Sequence, residues 1–442
     1  MIMEKLSKMN GAPCSCGKKH EFKSEIITGS GVTQKITEII ERLGTKKPYV
    51  LSDRNTFRAA GDKVLRLLDS AGISYVSFSF DSDDLEPDEQ TVGGAFMHLT
   101  RDCDMIIAVG SGVINDTAKL LSMHTGLPYV IVATAPSMDG YESMTSSMTL
   151  DGIKVSLPSR AADVIIGDTD VLTKAPRKMI LSGIGDMLAK YVSICEWRIA
   201  SLICGEYYCD EIAELIRQAL RRITEAAKPD SLNNADTVSA IFDGLTAGSV
   251  AMNYAGISRP ASGVEHYVSH IIDMRSAEFG YKAELHGIQC AVGTLLAIRL
   301  YDKLKKITPD KARALKYANE FDKEGWNGHL RALLGRSAEG MIDLEKKEGK
   351  YDVISHHKRL DVILDNWDKI LKIIDDELPS AKDVEAFMKR LGMPTEFSEI
   401  GVDKALLPDI FRATKDIRDK YVLSRLLFDL GMIDEFSEEL SN

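Results

Sequence analysis

Five short runs rich in β-branched and aromatic residues recur between longer helical patterns: Tyr49-Val50-Leu51, Ile73-Ser74-Tyr75-Val76-Ser77-Phe78, Met105-Ile106-Ile107-Ala108-Val109, Tyr129-Val130-Ile131-Val132 and Val164-Ile165-Ile166. Mostly apolar strands alternating with helices are those of a parallel sheet, because such strands bury both faces. Phe22 to Thr28 is expected to add an early strand or hairpin. After Asp170 the period changes. Ile212, Leu215, Ile216, Ala219, Leu220 and Ile223 fall at spacings of three and four, and helical spacing dominates thereafter. The chain therefore reads as an α/β domain with a Rossmann-like parallel sheet over residues 1–175, followed by an all-helical domain over 176–442. One late helix is fully punctuated: Ser380 caps it, Val384, Phe387, Met388 and Leu391 form its stripe, and Gly392 and Pro394 stop it.

At 442 residues, 44% hydrophobic and 27% charged, the chain can bury a large core. A net charge of -11 gives the whole chain no electrostatic footprint for nucleic acid or anionic lipid. No apolar run is long enough to span a bilayer and no secretory leader pattern is visible, so a cytoplasmic address without membrane insertion is expected. Seven cysteines argue for reduced thiols. Cys14-Ser15-Cys16-Gly17-Lys18-Lys19-His20 could supply three zinc ligands, with no fourth evident nearby; a plain turn or hairpin is the alternative. His356-His357, in a polar stretch, reads as surface.

Three segments carry candidate chemistry. Directly after one expected strand comes Gly110-Ser111-Gly112-Val113-Ile114-Asn115-Asp116-Thr117-Ala118-Lys119, a glycine turn opening a helix. Backbone N–H groups and the helix N-terminus there suit a pyrophosphate, although ordinary turn chemistry explains the glycines equally well. The next strand runs into Thr134-Ala135-Pro136-Ser137-Met138-Asp139-Gly140-Tyr141-Glu142-Ser143, placing hydroxyls and one carboxylate at the edge where open α/β sheets bind ligands, with a polar loop capping a helix as the alternative for Ser137 and Ser143. Gly183-Ile184-Gly185-Asp186 stands where the first long helix of the second half is expected to begin, so Asp186 reads as an N-cap or a metal ligand. His266 and His270 lie one helical turn apart, and His286 follows. With Asp186, two imidazoles would make an open site for a divalent metal.

This ordered set resembles the superfamily of iron-containing alcohol dehydrogenases, glycerol dehydrogenase and dehydroquinate synthase, over about Ile26 to Gly431. Within it, Ser258-Arg259-Pro260-Ala261-Ser262-Gly263-Val264-Glu265-His266-Tyr267-Val268-Ser269-His270 resembles the sn-glycerol-1-phosphate dehydrogenases, particularly their bacterial branch. The resemblance implies Asp186, His266 and His286 as metal ligands. It implies Gly110, Ser111, Gly112, Asp116, Thr134, Ser137 and Ser143 around NAD or NADP, with Asp53 at the adenosine ribose. Asp139 would reach the substrate hydroxyls. Iron-dependent members carry a further histidine one turn after the aspartate; Lys190 stands there, which favours zinc or nickel. The implied reaction is reduction of dihydroxyacetone phosphate to sn-glycerol 1-phosphate, and its reverse, in a cleft between the domains of a homodimeric enzyme.

His270 is a candidate proton relay or a hydrogen-bonded neighbour of the metal ligands, and Arg259 a candidate for the substrate phosphate or for ordering the loop before the histidines. A glycerol or other small polyol dehydrogenase would use the same metal residues. A regulatory protein that keeps the fold without catalysis, and a zinc-stapled interaction module at Cys14, Cys16 and His20, are readings from other classes. Carbocycle formation fits poorly, because dehydroquinate synthases place a glutamate where Asp186 stands.

Overall fold

The computed structural model describes residues 2–441. Among these residues eight strands form, in chain order: β1 (Glu25–Gly29), β2 (Pro48–Asp53), β3 (Val76–Phe80), β4 (Met105–Gly110), β5 (Tyr129–Ala133), β6 (Thr145–Leu150), β7 (Ile153–Pro158) and β8 (Val164–Asp168). Six of them make one parallel sheet in the order β1-β8-β5-β4-β2-β3, while β6 and β7 pair antiparallel as a separate hairpin. Every residue of β4, β5 and β8 is buried, as continuous apolar runs require. One face of the sheet presents Val50, Ile107, Val109, Val130, Val132 and Ile166 to the helix Ile36–Arg42 and its neighbours. Ile106, Ala108, Ile131 and Ile165 are buried on the opposite face.

The edge strand β3 behaves differently. Ser77 and Ser79 are exposed while Val76, Phe78 and Phe80 are half-buried, so only one face is covered. The strand begins at Val76, so Ile73-Ser74-Tyr75 is its approach and not its start.

From β2 the chain runs outward to β3, returns to β4 beside β2, and continues outward through β5 to β8. The connections therefore diverge between β2 and β4, and the crevice outside the carboxyl ends of such a pair is where ligands bind. Asp53 ends β2 and Gly110 ends β4.

Two compact units are present. The first comprises the chain up to Met187 together with Glu214–Gly256; the second comprises Leu188–Ala213 together with the chain from Ile257 onward. Among its described residues the second unit contains no strand. Its helix Ala381–Leu391 is capped as read from the sequence: Asp383 N donates to Ser380 Oγ at 3.1 Å, and Gly392 closes it at φ 72°. His356 departs from its surface reading, because it is buried and its Nε2 lies 3.0 Å from the Asp429 carbonyl. Among the described residues, no helix is long and apolar enough to cross a membrane.

Candidate functional site

Within the first unit, register sets the geometry. Gly110 lies opposite Ala133, and Thr134 N donates to the Gly110 carbonyl at 3.0 Å, so the glycine turn and the Thr134–Ser143 segment leave the sheet side by side. Gly110 is required by packing: a Cβ there would meet Ile114 at 2.5 Å. It thus provides the close strand-to-helix approach that a third glycine provides in standard dinucleotide loops. The helix Gly112–Thr125 has no side-chain cap at Ser111. Ser111 Oγ lies 2.7 Å from Ser137 Oγ, tying the two loops together, and the first-turn N–H groups of this helix are suited to an anion.

Other candidate cofactor residues are engaged locally. The Asp116 carboxylate pairs with buried Lys119 at 2.7 Å and accepts from Ser147 N at 3.1 Å, fastening the β6-β7 hairpin to the helix. Lys119 Nζ also donates to the carbonyls of Thr145 and Gly140. Asp53 Oδ1 accepts from Asn55 N and Thr56 N, capping a short helix. Ser143 Oγ bonds within its own turn to Thr145.

Asp186 is not an N-cap. The helix begins at Arg177, nine residues earlier, so Asp186 stands fully buried in its interior. Gly183 explains the motif: a Cβ there would lie 1.9 Å from the Pro136 carbonyl oxygen, so only glycine lets this helix press against the Thr134–Ser143 segment. Along that contact Ser182 Oγ donates to Ser137 O at 2.9 Å, and Asp139 N donates to Asp186 Oδ2 at 2.9 Å. The backbone of Asp139 therefore orients the Asp186 carboxylate.

In the second unit, the helices Val264–Phe279 and His286–Leu304 bring His266, His286 and Cys290 together, with one donor atom from each within 4.8 Å of the others. The imidazoles of His266 and His286 are 5.1 Å apart between centroids. His266 Nδ1 lies 2.8 Å from Glu265 Oε1, and His286 Nδ1 lies 3.0 Å from Ser269 Oγ. With both Nδ1 atoms engaged, Nε2 is the nitrogen each ring offers to a metal; His286 Nε2 is 3.6 Å from Cys290 Sγ. Burial pushes the Cys290 thiol up, and the two imidazoles outweigh it, leaving the thiol below its ordinary range. Two imidazoles and a thiol are a donor set suited to a borderline-soft ion.

Sequence reasoning missed Cys290, one turn after His286, and Glu265 and Ser269, each one turn or less from a histidine already singled out. It also missed Glu196. This buried carboxylate accepts from Val264 N at 2.9 Å and Leu423 N at 2.8 Å, and burial beside Glu265 pushes its pKa up. A Cβ on Gly263 would lie 2.5 Å from Glu196 Oε2 and 2.8 Å from Glu265 Oε2, so that glycine makes room for the carboxylate pair.

Arg259 orders the loop. Its guanidinium is buried, bidentate to Glu206 and bonded to the Tyr421 carbonyl at 2.8 Å. Two further cations, Arg418 and Lys420, act on His270 through their charge. Burial, followed by Arg418, His286, His266 and Lys420, holds the His270 imidazole well below its usual pKa. Burial, with Arg259 and Arg418, lowers Lys420 to about 7. Lys420 Nζ donates to Ser262 O and Oγ, both neutral groups.

A family model described as iron-containing alcohol dehydrogenase matches residues 27–176. The chain is 32% identical over 305 residues to a glycerol-1-phosphate dehydrogenase, NAD(P)+, of Methanosarcina mazei, covering 67% of this chain and 84% of that one. It is 25% identical over 425 residues to the Bacillus licheniformis protein of the same name, covering 95% and 93%. The crystal structure of a glycerol dehydrogenase from Schizosaccharomyces pombe superposes with a TM-score of 0.59 at 17% identity, covering 96% of this chain and 92% of that one, which shows a shared fold.

Proposed function

Since the chain belongs to the glycerol-1-phosphate dehydrogenase family, we propose that it is a metal-dependent NAD(P)H oxidoreductase interconverting dihydroxyacetone phosphate and sn-glycerol 1-phosphate. The observation that carries the metal reading is the oriented pair His266 and His286, each with Nδ1 held so that Nε2 is the ligand atom. The family resemblance adds Asp186 to this proposed ligand set, and Cys290 is positioned to act as a further ligand or as a close neighbour of the two histidines. A zinc or nickel ion bound there would polarise the ketone oxygen as a Lewis acid, and the nicotinamide would supply the hydride.

The chain's own residues do the rest. Ser111, Gly112, Thr134 and Ser137, at the ends of β4 and β5, receive the cofactor, with Gly110 allowing the close approach. Asp116, Asp53 and Ser143 act in this reading by shaping the surrounding loops. Asp139 fixes Asp186 through its amide and offers its carboxylate to the substrate hydroxyls. His270, neutral near pH 7, passes a proton at a ring nitrogen toward the forming alcohol. Arg418 and Lys420 supply positive charge for the phosphate, and this separates a phosphorylated substrate from a plain polyol. The protein acts as a homodimer in the cytoplasm.

The test compares kcat/KM for dihydroxyacetone phosphate and dihydroxyacetone, with NADH and with NADPH, on metal-loaded protein. A strong preference for the phosphate ester is expected. Equal efficiency would replace this reading with that of a polyol dehydrogenase.

A further inference from the structure

The segment preceding β1 folds as a closed loop around two thiols and an imidazole that take no part in the site above. After the helix Ile2–Met9, Asn10 pairs with both backbone groups of Phe22, and Gly11 N donates to His20 O at 2.7 Å. Inside that closure Pro13 and Lys19 pair antiparallel, Cys14 N donates to Lys18 O at 3.2 Å, and Gly17 turns the chain at φ 81°. The turn brings Cys14, Cys16 and His20 donor atoms within 4.8 Å of one another, and Cys16 Sγ lies 3.3 Å from His20 Nε2. Thiolate sulfur and imidazole nitrogen on one tetrahedral zinc are separated by about 3.6 Å.

The imidazole is set for that role. His20 is buried, packs on Tyr254 at 5.3 Å between ring centroids, and holds its Nδ1 3.0 Å from the Tyr254 carbonyl. A carbonyl only accepts, so Nδ1 carries the proton and the lone pair is at Nε2, on the side of the thiols.

We propose that Cys14, Cys16 and His20 bind a zinc ion in a structural site separate from His266 and His286. Binding releases the two thiol protons to solvent and changes no oxidation state. The ion locks the turn from Cys14 to His20, and the His20 ring it holds rests on the end of the helix Ala235–Ala255, where Tyr254 OH also donates to Leu6 O at 3.2 Å.

The experiment uses the full chain, loaded with zinc and without a histidine tag. Cysteines are alkylated before and after chelation and mapped by peptide mass, and zinc is counted by mass spectrometry. Cys14 and Cys16 are expected to react on the order of tenfold or more slowly in the zinc-loaded protein, since protection scales with metal occupancy. The double variant Cys14→Ser/Cys16→Ser is expected to lose one zinc per chain, whereas His266→Ala/His286→Ala leaves the protection of Cys14 and Cys16 intact. Equal reactivity of Cys14 and Cys16 with and without zinc overturns the proposal. That comparison is made on the unaltered chain, so misfolding of a variant cannot produce it.

Discussion

Glu142 offers a quantitative test of the loop that follows β5. Its carboxyl is buried, with Ser24 Oγ at 3.0 Å from Oε1 and Asn253 Nδ2 at 2.6 Å from Oε2. Burial raises its pKa from an ordinary 4.5 to about 7, against the lowering effects of Ser24, Asn253 and Lys119. The folded protein therefore holds this proton more tightly than the unfolded chain, by about 3 kcal/mol. For a pKa raised on folding, the stabilisation is complete below pH 4.5 and is lost as pH rises to about 7. Glu142→Gln mimics the protonated state. Its carbonyl can accept from Asn253, and its amide can donate to Ser24 Oγ, whose own proton goes to the Ala162 carbonyl at 2.5 Å. Urea unfolding at pH 4.5 should find variant and parent nearly equal; at pH 8 the variant should be more stable by up to about 3 kcal/mol. A stability difference that is the same at both pH values would refute the argument.

Other perturbations follow from particular contacts. Gly183→Ala places a methyl 1.9 Å from the Pro136 carbonyl oxygen and should cost at least about 1–3 kcal/mol by overpacking, read as a fall in Tm. Glu265→Gln removes the anionic partner of His266 Nδ1 and should weaken zinc or nickel affinity about 10–100-fold, measured by competition with a chromophoric chelator. Lys420→Ala should raise KM for dihydroxyacetone phosphate about 10–100-fold, the loss of one charge-assisted hydrogen bond, while leaving dihydroxyacetone turnover nearly unchanged.

Much of this architecture was legible because uniformly apolar strands and helical stripes have different periods. β4, β5 and β8 are read directly from their runs, and Ser380 with Gly392 marks a helix at both ends. The hairpin β6-β7 was not read, although Asp151-Gly152 is a signal for a two-residue turn; both residues adopt positive φ, 52° and 75°. Its polar strands lacked the apolar contrast that draws attention to a strand. In the sequence, Gly183 and Gly185 look like a helix boundary, which puts Asp186 at a helix start. The reason for Gly183 inside a helix is a tertiary contact, the Pro136 carbonyl, that no local pattern encodes. His356 and Arg259 were misjudged or left open for the same reason: their partners Asp429, Glu206 and Tyr421 are remote in sequence. The histidine positions were evident, whereas Cys290 and Glu265 became visible only once the helices His286–Leu304 and Val264–Phe279 were packed together.

The most direct measurement is the identity of the product. Metal-reconstituted protein is incubated with NADH or NADPH and dihydroxyacetone phosphate, beside Asp186→Ala and His266→Ala, and the enantiomer of glycerol phosphate is determined. Metal-dependent formation of sn-glycerol 1-phosphate, lost in both variants, is the predicted result. Reduction of dihydroxyacetone alone, or turnover that survives in both variants, would contradict it.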